Sequence, residues 1–144
     1  MNFSFQIVFQ LLVAIFLGAS IGLEREFKKK GAGLQTYSLV SLGSCLFALT
    51  GMELLKSSLL QSGFTLGPVS IIQAVAMGIG FIGAGVIFQK ESKVEGITTA
   101  SGLWVTAAIG MSVGLGFYSL AFMATFLIIL IFLGFGFFEN KVLK

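Results

Sequence analysis

The stretch FQIVFQLLVAIFLGASIGL, residues 5–23, carries no charge and is followed at once by Glu24-Arg25-Glu26. A helix rises 1.5 Å per residue, so about 20 apolar residues cross the hydrocarbon of a bilayer. Four further stretches of this kind follow at residues 36–55, 69–88, 97–115 and 117–138. Charged residues make up 10% of the 144, against about 25% in a soluble chain. Mean hydropathy is +1.01. A transmembrane barrel would show alternating segments of about 10 residues, and no such alternation is present. The expected fold is an all-α integral membrane bundle of five transmembrane helices. It occupies residues 1–144 as a single domain, with no C-terminal soluble domain expected.

Orientation follows from the short loops. Arg25, Lys28, Lys29 and Lys30 lie in the first loop, Lys90 and Lys93 in the third, and Lys141 and Lys144 at the C-terminus. Only Lys56 falls in the loops of the opposite side. The excess of basic residues marks the cytoplasmic face. The N-terminus is therefore expected outside and the C-terminus in the cytoplasm. The first span lacks a basic leading region and reads as an uncleaved anchor. Basic residues at membrane borders point to lipid phosphate rather than nucleic acid as their partner.

The inventory limits the chemistry. The chain has no His and no Asp, and its single Cys45 lies within the second span. Imidazole metal sites, Ser-His-Asp triads and Cys-Xaa-Xaa-Cys redox pairs are excluded. The acids Glu24, Glu26, Glu91 and Glu95 sit at the border, and no nucleophile and base pair can be assembled from them. No enzyme and no cofactor is expected, and whether a metal is bound stays open. Glu53 is the only charge inside a span, two residues from its outer end, and reads as a solvated partner of Lys56. Proton- and ion-coupled carriers generally place a charge near mid-membrane, and none lies there.

Of the 19 glycines, 13 fall inside the spans. Gln10, Ala14, Gly18 and Gly22 are spaced by four, as are Ala76, Gly80 and Ala84, and Thr98, Gly102, Thr106, Gly110 and Gly114. Small residues four apart form a ridge that lets membrane helices approach closely. The first, third and fourth spans are thus expected to form the tight centre, with the Phe-, Leu- and Ile-rich fifth span facing lipid. The ridges read as packing surfaces within one chain or between identical chains, making a homo-oligomer. The alternative is a narrow pathway lined by Thr98, Thr106, Gln10 and Gln73.

Gly78-Ile79-Gly80-Phe81-Ile82-Gly83 matches the dinucleotide fingerprint in letters only, because it lies inside an apolar span instead of between a strand and a helix. Its glycines serve close helix contact, or a local unwinding that exposes backbone to a cavity. Gly96-Ile97-Thr98-Thr99-Ala100-Ser101 opens the fourth span, where hydroxyls cap free amides. The same amides also suit an anion such as phosphate.

Four ordered blocks carry a resemblance. They are Ile21-Gly22-Leu23-Glu24-Arg25-Glu26, Gly31-Ala32-Gly33-Leu34-Gln35-Thr36, Gly78 to Ile87, and Gly96 through Trp104 to Gly110. In order and spacing they resemble the bacterial MgtC/SapB family, over about residues 11 to 120. The resemblance implies a multi-pass inner-membrane protein tied to growth at low magnesium and to virulence. Members have been viewed as magnesium transporters, or as regulators of the rotary ATP synthase and of phosphate uptake. Gln35 and Glu95 stand where the family commonly has basic residues, and Thr98 and Val105 where one member has Asn and Cys. The expectation is a regulator or binding partner in magnesium or phosphate homeostasis, with an ion transporter or a structural oligomer as alternatives. Its border site would comprise Glu24, Arg25, Thr98 and Thr99, and its packing or pathway residues Gly18, Gly22, Gly80, Gly83, Gly102, Thr106 and Gly110.

Overall fold

The computed structural model describes residues 5–56 and 67–142, with side chains to residue 136. Its elements run α1 (Phe5–Phe27), α2 (Leu34–Lys56), α3 (Pro68–Gly85), β1 (Phe88–Lys90), β2 (Lys93–Glu95), α4 (Ile97–Gly114) and α5 (Tyr118–Val142). All five helices are long and apolar enough to cross a membrane. In hydrocarbon every backbone amide must be satisfied within its own segment, so these runs become helices whatever their propensity in water. Lys141 and Lys144, counted above toward orientation, lie outside the described side chains, as does most of the second loop.

The third helix is shorter than the apolar run that announces it. It ends at Gly85, and Phe88 opens an antiparallel hairpin that pairs Phe88 with Glu95 and Lys90 with Lys93. Gly96 makes the return possible. Its φ of 92° lies in the left-handed region, and a Cβ there would strike the carbonyl of Val86.

The bundle is centred on α1, α2 and α4, with α3 at its edge. This corrects the expectation that the third span belongs to the centre. The α1 ridge is buried at Gln10, Ala14, Gly18 and Gly22, and the α4 ridge at Gly102, Thr106, Gly110 and Gly114. Both close on a stripe of α2 made by Tyr37, Ser41, Ser44, Cys45 and Ala48. A Cβ on Gly18 would lie 2.6 Å from the Tyr37 carbonyl, and one on Gly114 2.7 Å from that of Cys45. On Gly110 it would strike the Ser41 carbonyl. Of the α3 ridge, Gly80 and Ala84 face outward, while Ile79 and Gly83 make the buried contact. As expected of the fifth span, α5 buries one narrow stripe, Ala121, Thr125, Ile128 and Phe132, and exposes its bulky residues.

Candidate functional site

The basic end of the bundle, where α1 meets α2 and the hairpin enters α4, gathers buried charge. The last turns of α1 place Arg25 on the same helical face as Ile21 and Gly22, so it faces the bundle. Its guanidinium lies 4.1 Å from the centre of the Phe132 ring of α5. A cation over an aromatic face replaces part of the hydration lost on burial. Arg25 Nε also lies 3.3 Å from Glu24 Oε2, and Lys28 Nζ lies 2.6 Å from Glu24 Oε1. The side chains of Arg25 and Glu24 are 5% and 8% exposed, and that of Lys28 35%. Lys28 Nζ further donates to the Phe132 carbonyl at 2.8 Å, tying α1 to α5.

Tyr37 continues the cluster into α4. Fully buried, it donates its hydroxyl to the Thr99 carbonyl at 3.3 Å. Gly102, one turn on, leaves the space for it: a Cβ there would lie 2.5 Å from Tyr37 Oη and 2.7 Å from Phe132 Cζ. A small residue on α4 therefore lets an α2 hydroxyl and an α5 ring meet beside Arg25. Glu26 serves a neighbouring purpose. Its Oε2 accepts the Leu34 amide at 3.1 Å, placing a carboxylate on the positive end of α2.

Among the border residues expected from sequence, Glu24, Arg25 and Thr99 come together, whereas Thr98 is exposed. Neither threonine caps α4. Gly96 is the N-cap, with no side-chain cap bond, so the hydroxyl cap read from the sequence is replaced by a left-handed glycine. Thr106 is buried with its hydroxyl turned back to the Gly102 carbonyl at 2.8 Å, as Thr125 turns to Ala121 at 2.8 Å. Gln10 donates to the carbonyls of Val113 and Gly114 at 3.0 and 3.2 Å, closing the last turn of α4. Gln73 is exposed, so it does not line an interior path with Gln10. Gly18, Gly22, Gly102 and Gly110 are thus packing positions. Gly80 meets open space, Gly83 makes an ordinary contact with Ala100, and α3 runs unbroken through both. The unwinding considered at Gly78–Gly83 does not occur.

Lys28, Tyr37 and Phe132 were not marked as site residues by the sequence. The Glu24–Lys28 spacing of four is a readable helix pair. Tyr37 and Phe132 carry no such local signal, because each meets Arg25 or α4 only in the folded bundle.

Between α3 and α4 lies a groove of about 360 Å³, bordered by Gly80, Gly83, Ala84, Ala100, Ser101 and Trp104. Ser101 is spent on the Ile97 carbonyl at 3.0 Å. Among the described residues there is no group of three His, Cys, Asp or Glu able to hold a metal ion.

Comparison with known proteins finds relatives over most of the chain. The chain is 37% identical over 126 residues to YhiD of Escherichia coli K12, whose name carries a provisional magnesium-transporter label, covering 88% of this chain and 59% of that protein. It is 38% identical over 135 residues to SrpB of Synechococcus elongatus, covering 88% and 73%. It is 39% identical over 125 residues to MgtC of Salmonella typhimurium, covering 87% and 50%. The chain thus spans between half and three quarters of the length of these relatives. No solved structure matches. A profile described as the MgtC family matches residues 11–141, and with five apolar helices of spanning length the chain belongs to that family as a multi-pass protein of the inner membrane.

Proposed function

We propose that this chain is a non-enzymatic component of magnesium homeostasis that acts as a membrane-embedded regulator or binding partner, not as the path of an ion. The observation that carries the reading is the closed centre. Glycines of α1 and α4 meet the backbone of α2 directly, and the amide and hydroxyls of Gln10, Thr106 and Thr125 are tied to carbonyls. Magnesium sheds its water reluctantly and is held through oxygen ligands and retained waters. The groove beside α3 has only the Ser101 hydroxyl and the Trp104 indole N–H as polar side-chain groups, which offers a hydrated cation little. The connection to magnesium rests on the names of the relatives, and phosphate is the second ion to examine.

On this reading the basic end faces the cytoplasm. Its cluster of Glu24, Arg25, Lys28, Tyr37 and Thr99 fixes how α1, α4 and α5 meet, and hence the surface shown to a partner. That partner is a membrane protein complex, with the rotary ATP synthase the first to examine, and the chain itself assembles as a homo-oligomer. The test is ion flux into liposomes holding only the purified chain, with magnesium and phosphate measured in parallel. The expected result is flux no greater than in protein-free liposomes, from protein that restores growth of a deletion strain at low magnesium. Magnesium flux above that background, lost when Gly83→Leu blocks the groove without altering assembly, overturns the regulator in favour of a transporter.

A further inference from the structure

The two loops at the basic end look alike in sequence, each mixing Lys with Glu, but the structure uses their acids differently. In the hairpin, Lys90, Glu91, Lys93 and Glu95 are all exposed, so their charges offset one another at the surface. In the first loop the acids are committed elsewhere. Glu24 is buried between Arg25 and Lys28, and Glu26 holds the amide end of α2. Lys29 and Lys30 remain exposed, with no ion pair among the described residues.

The backbone presents this pair deliberately. Lys30 N donates to the Arg25 carbonyl at 3.0 Å and Lys29 N to that of Glu26 at 2.9 Å, the double closure of a Schellman helix end. Lys29 holds the left-handed position of that motif, at φ 51°, which glycine normally takes because it has no Cβ. A cation therefore stands where glycine would fit with less strain. Beside it Phe27, the last residue of α1, is 84% exposed. Phe beside basic residues inserts at the boundary of headgroup and acyl chain while the cations meet anionic lipid.

We infer that the α1 end, through Lys29, Lys30 and Phe27, is a docking surface for anionic phospholipid headgroups, whereas the hairpin is not. The uncompensated charge supplies the attraction to lipid phosphate. Phe27 supplies depth, by placing its ring at the boundary of headgroup and acyl chain.

The test is thermal unfolding of the full chain in neutral phosphatidylcholine micelles, with and without added phosphatidylglycerol. The unfolding midpoint is expected to rise with phosphatidylglycerol, and the rise to shrink in high salt. The K29Q/K30Q variant is expected to lose most of the rise, and K90Q/K93Q to keep it. A second variant, K29G/K30Q, relieves the left-handed strain, and should match or exceed the wild-type midpoint in neutral micelles while losing the lipid response. That outcome separates charge from folding. Equal rises in wild type, K29Q/K30Q and K90Q/K93Q overturn the inference. So does a rise reproduced by free glycerol phosphate, which would mark a soluble-anion site. Absence of any lipid response also overturns it and would leave Lys29 and Lys30 to an acidic protein.

Discussion

Individual glycines in this chain differ by what stands opposite them. Gly110 faces the Ser41 carbonyl and Gly18 that of Tyr37, so a methyl group at either must push two helix backbones apart. Overpacking of this kind costs about 1–3 kcal/mol. Gly110→Ala and Gly18→Ala are therefore expected to lower the thermal midpoint in detergent and reduce the folded fraction on size exclusion. Gly80, on a ridge with the same spacing of four, has nothing within 4 Å of a Cβ. Gly80→Ala should hold or raise the midpoint, since alanine is favoured over glycine in a helix interior by about 0.5–1 kcal/mol. A loss at Gly80 as large as at Gly110 would mean that α3 packs against something more than lipid. Arg25 is the charged counterpart. Removing one partner of a buried ion pair costs about 3–5 kcal/mol, because the other is left uncompensated. Arg25→Met should thus unfold the chain more readily than Lys29→Gln, and adding Glu24→Gln should restore part of the loss in a double-mutant cycle.

At the scale of elements, the ends of helices carry the long-range ties. Gln10 stands in the second turn of a 23-residue helix, yet its amide closes the last turn of α4, more than 100 residues away. Gln10→Leu keeps the bulk and removes both bonds. Each is worth about 1 kcal/mol net, so a loss of about 1–2 kcal/mol in unfolding free energy is expected, read by denaturant titration in micelles. The opposite end is tied by Lys28 to the Phe132 carbonyl and by Arg25 to its ring. The ridges of α1 and α4 were legible as packing surfaces because a period of four survives in any helix. Their partner was not. The α2 stripe is built from Tyr37, Ser41, Ser44 and Cys45, whose polar or mixed character hides a packing face from a search for Gly and Ala. In α3 the same period points outward, since spacing fixes which residues share a face and leaves open where that face turns.

For the whole molecule, the loop charges predict which end faces the cytoplasm. Gly31→Cys in the first loop stands in open space, and Phe117→Cys lies exposed at the other end of the bundle. With buried Cys45 shielded from an impermeant maleimide, cells are expected to label at residue 117 from outside and at residue 31 only after permeabilisation. The reverse pattern would invert the topology and separate the first loop from the cytoplasm. The sequence by itself determined the five spans, the membrane as solvent, the family and the two glycine ridges, because hydropathy and helical period are properties of neighbouring residues. Only the tertiary structure decided that α2 and not α3 completes the centre, that the α3 run ends in a hairpin, and that Tyr37 and Phe132 complete a charged cluster with Arg25. Those outcomes depend on which surfaces fit at contact distance between segments up to about a hundred residues apart, where close packing selects shape rather than hydrophobicity.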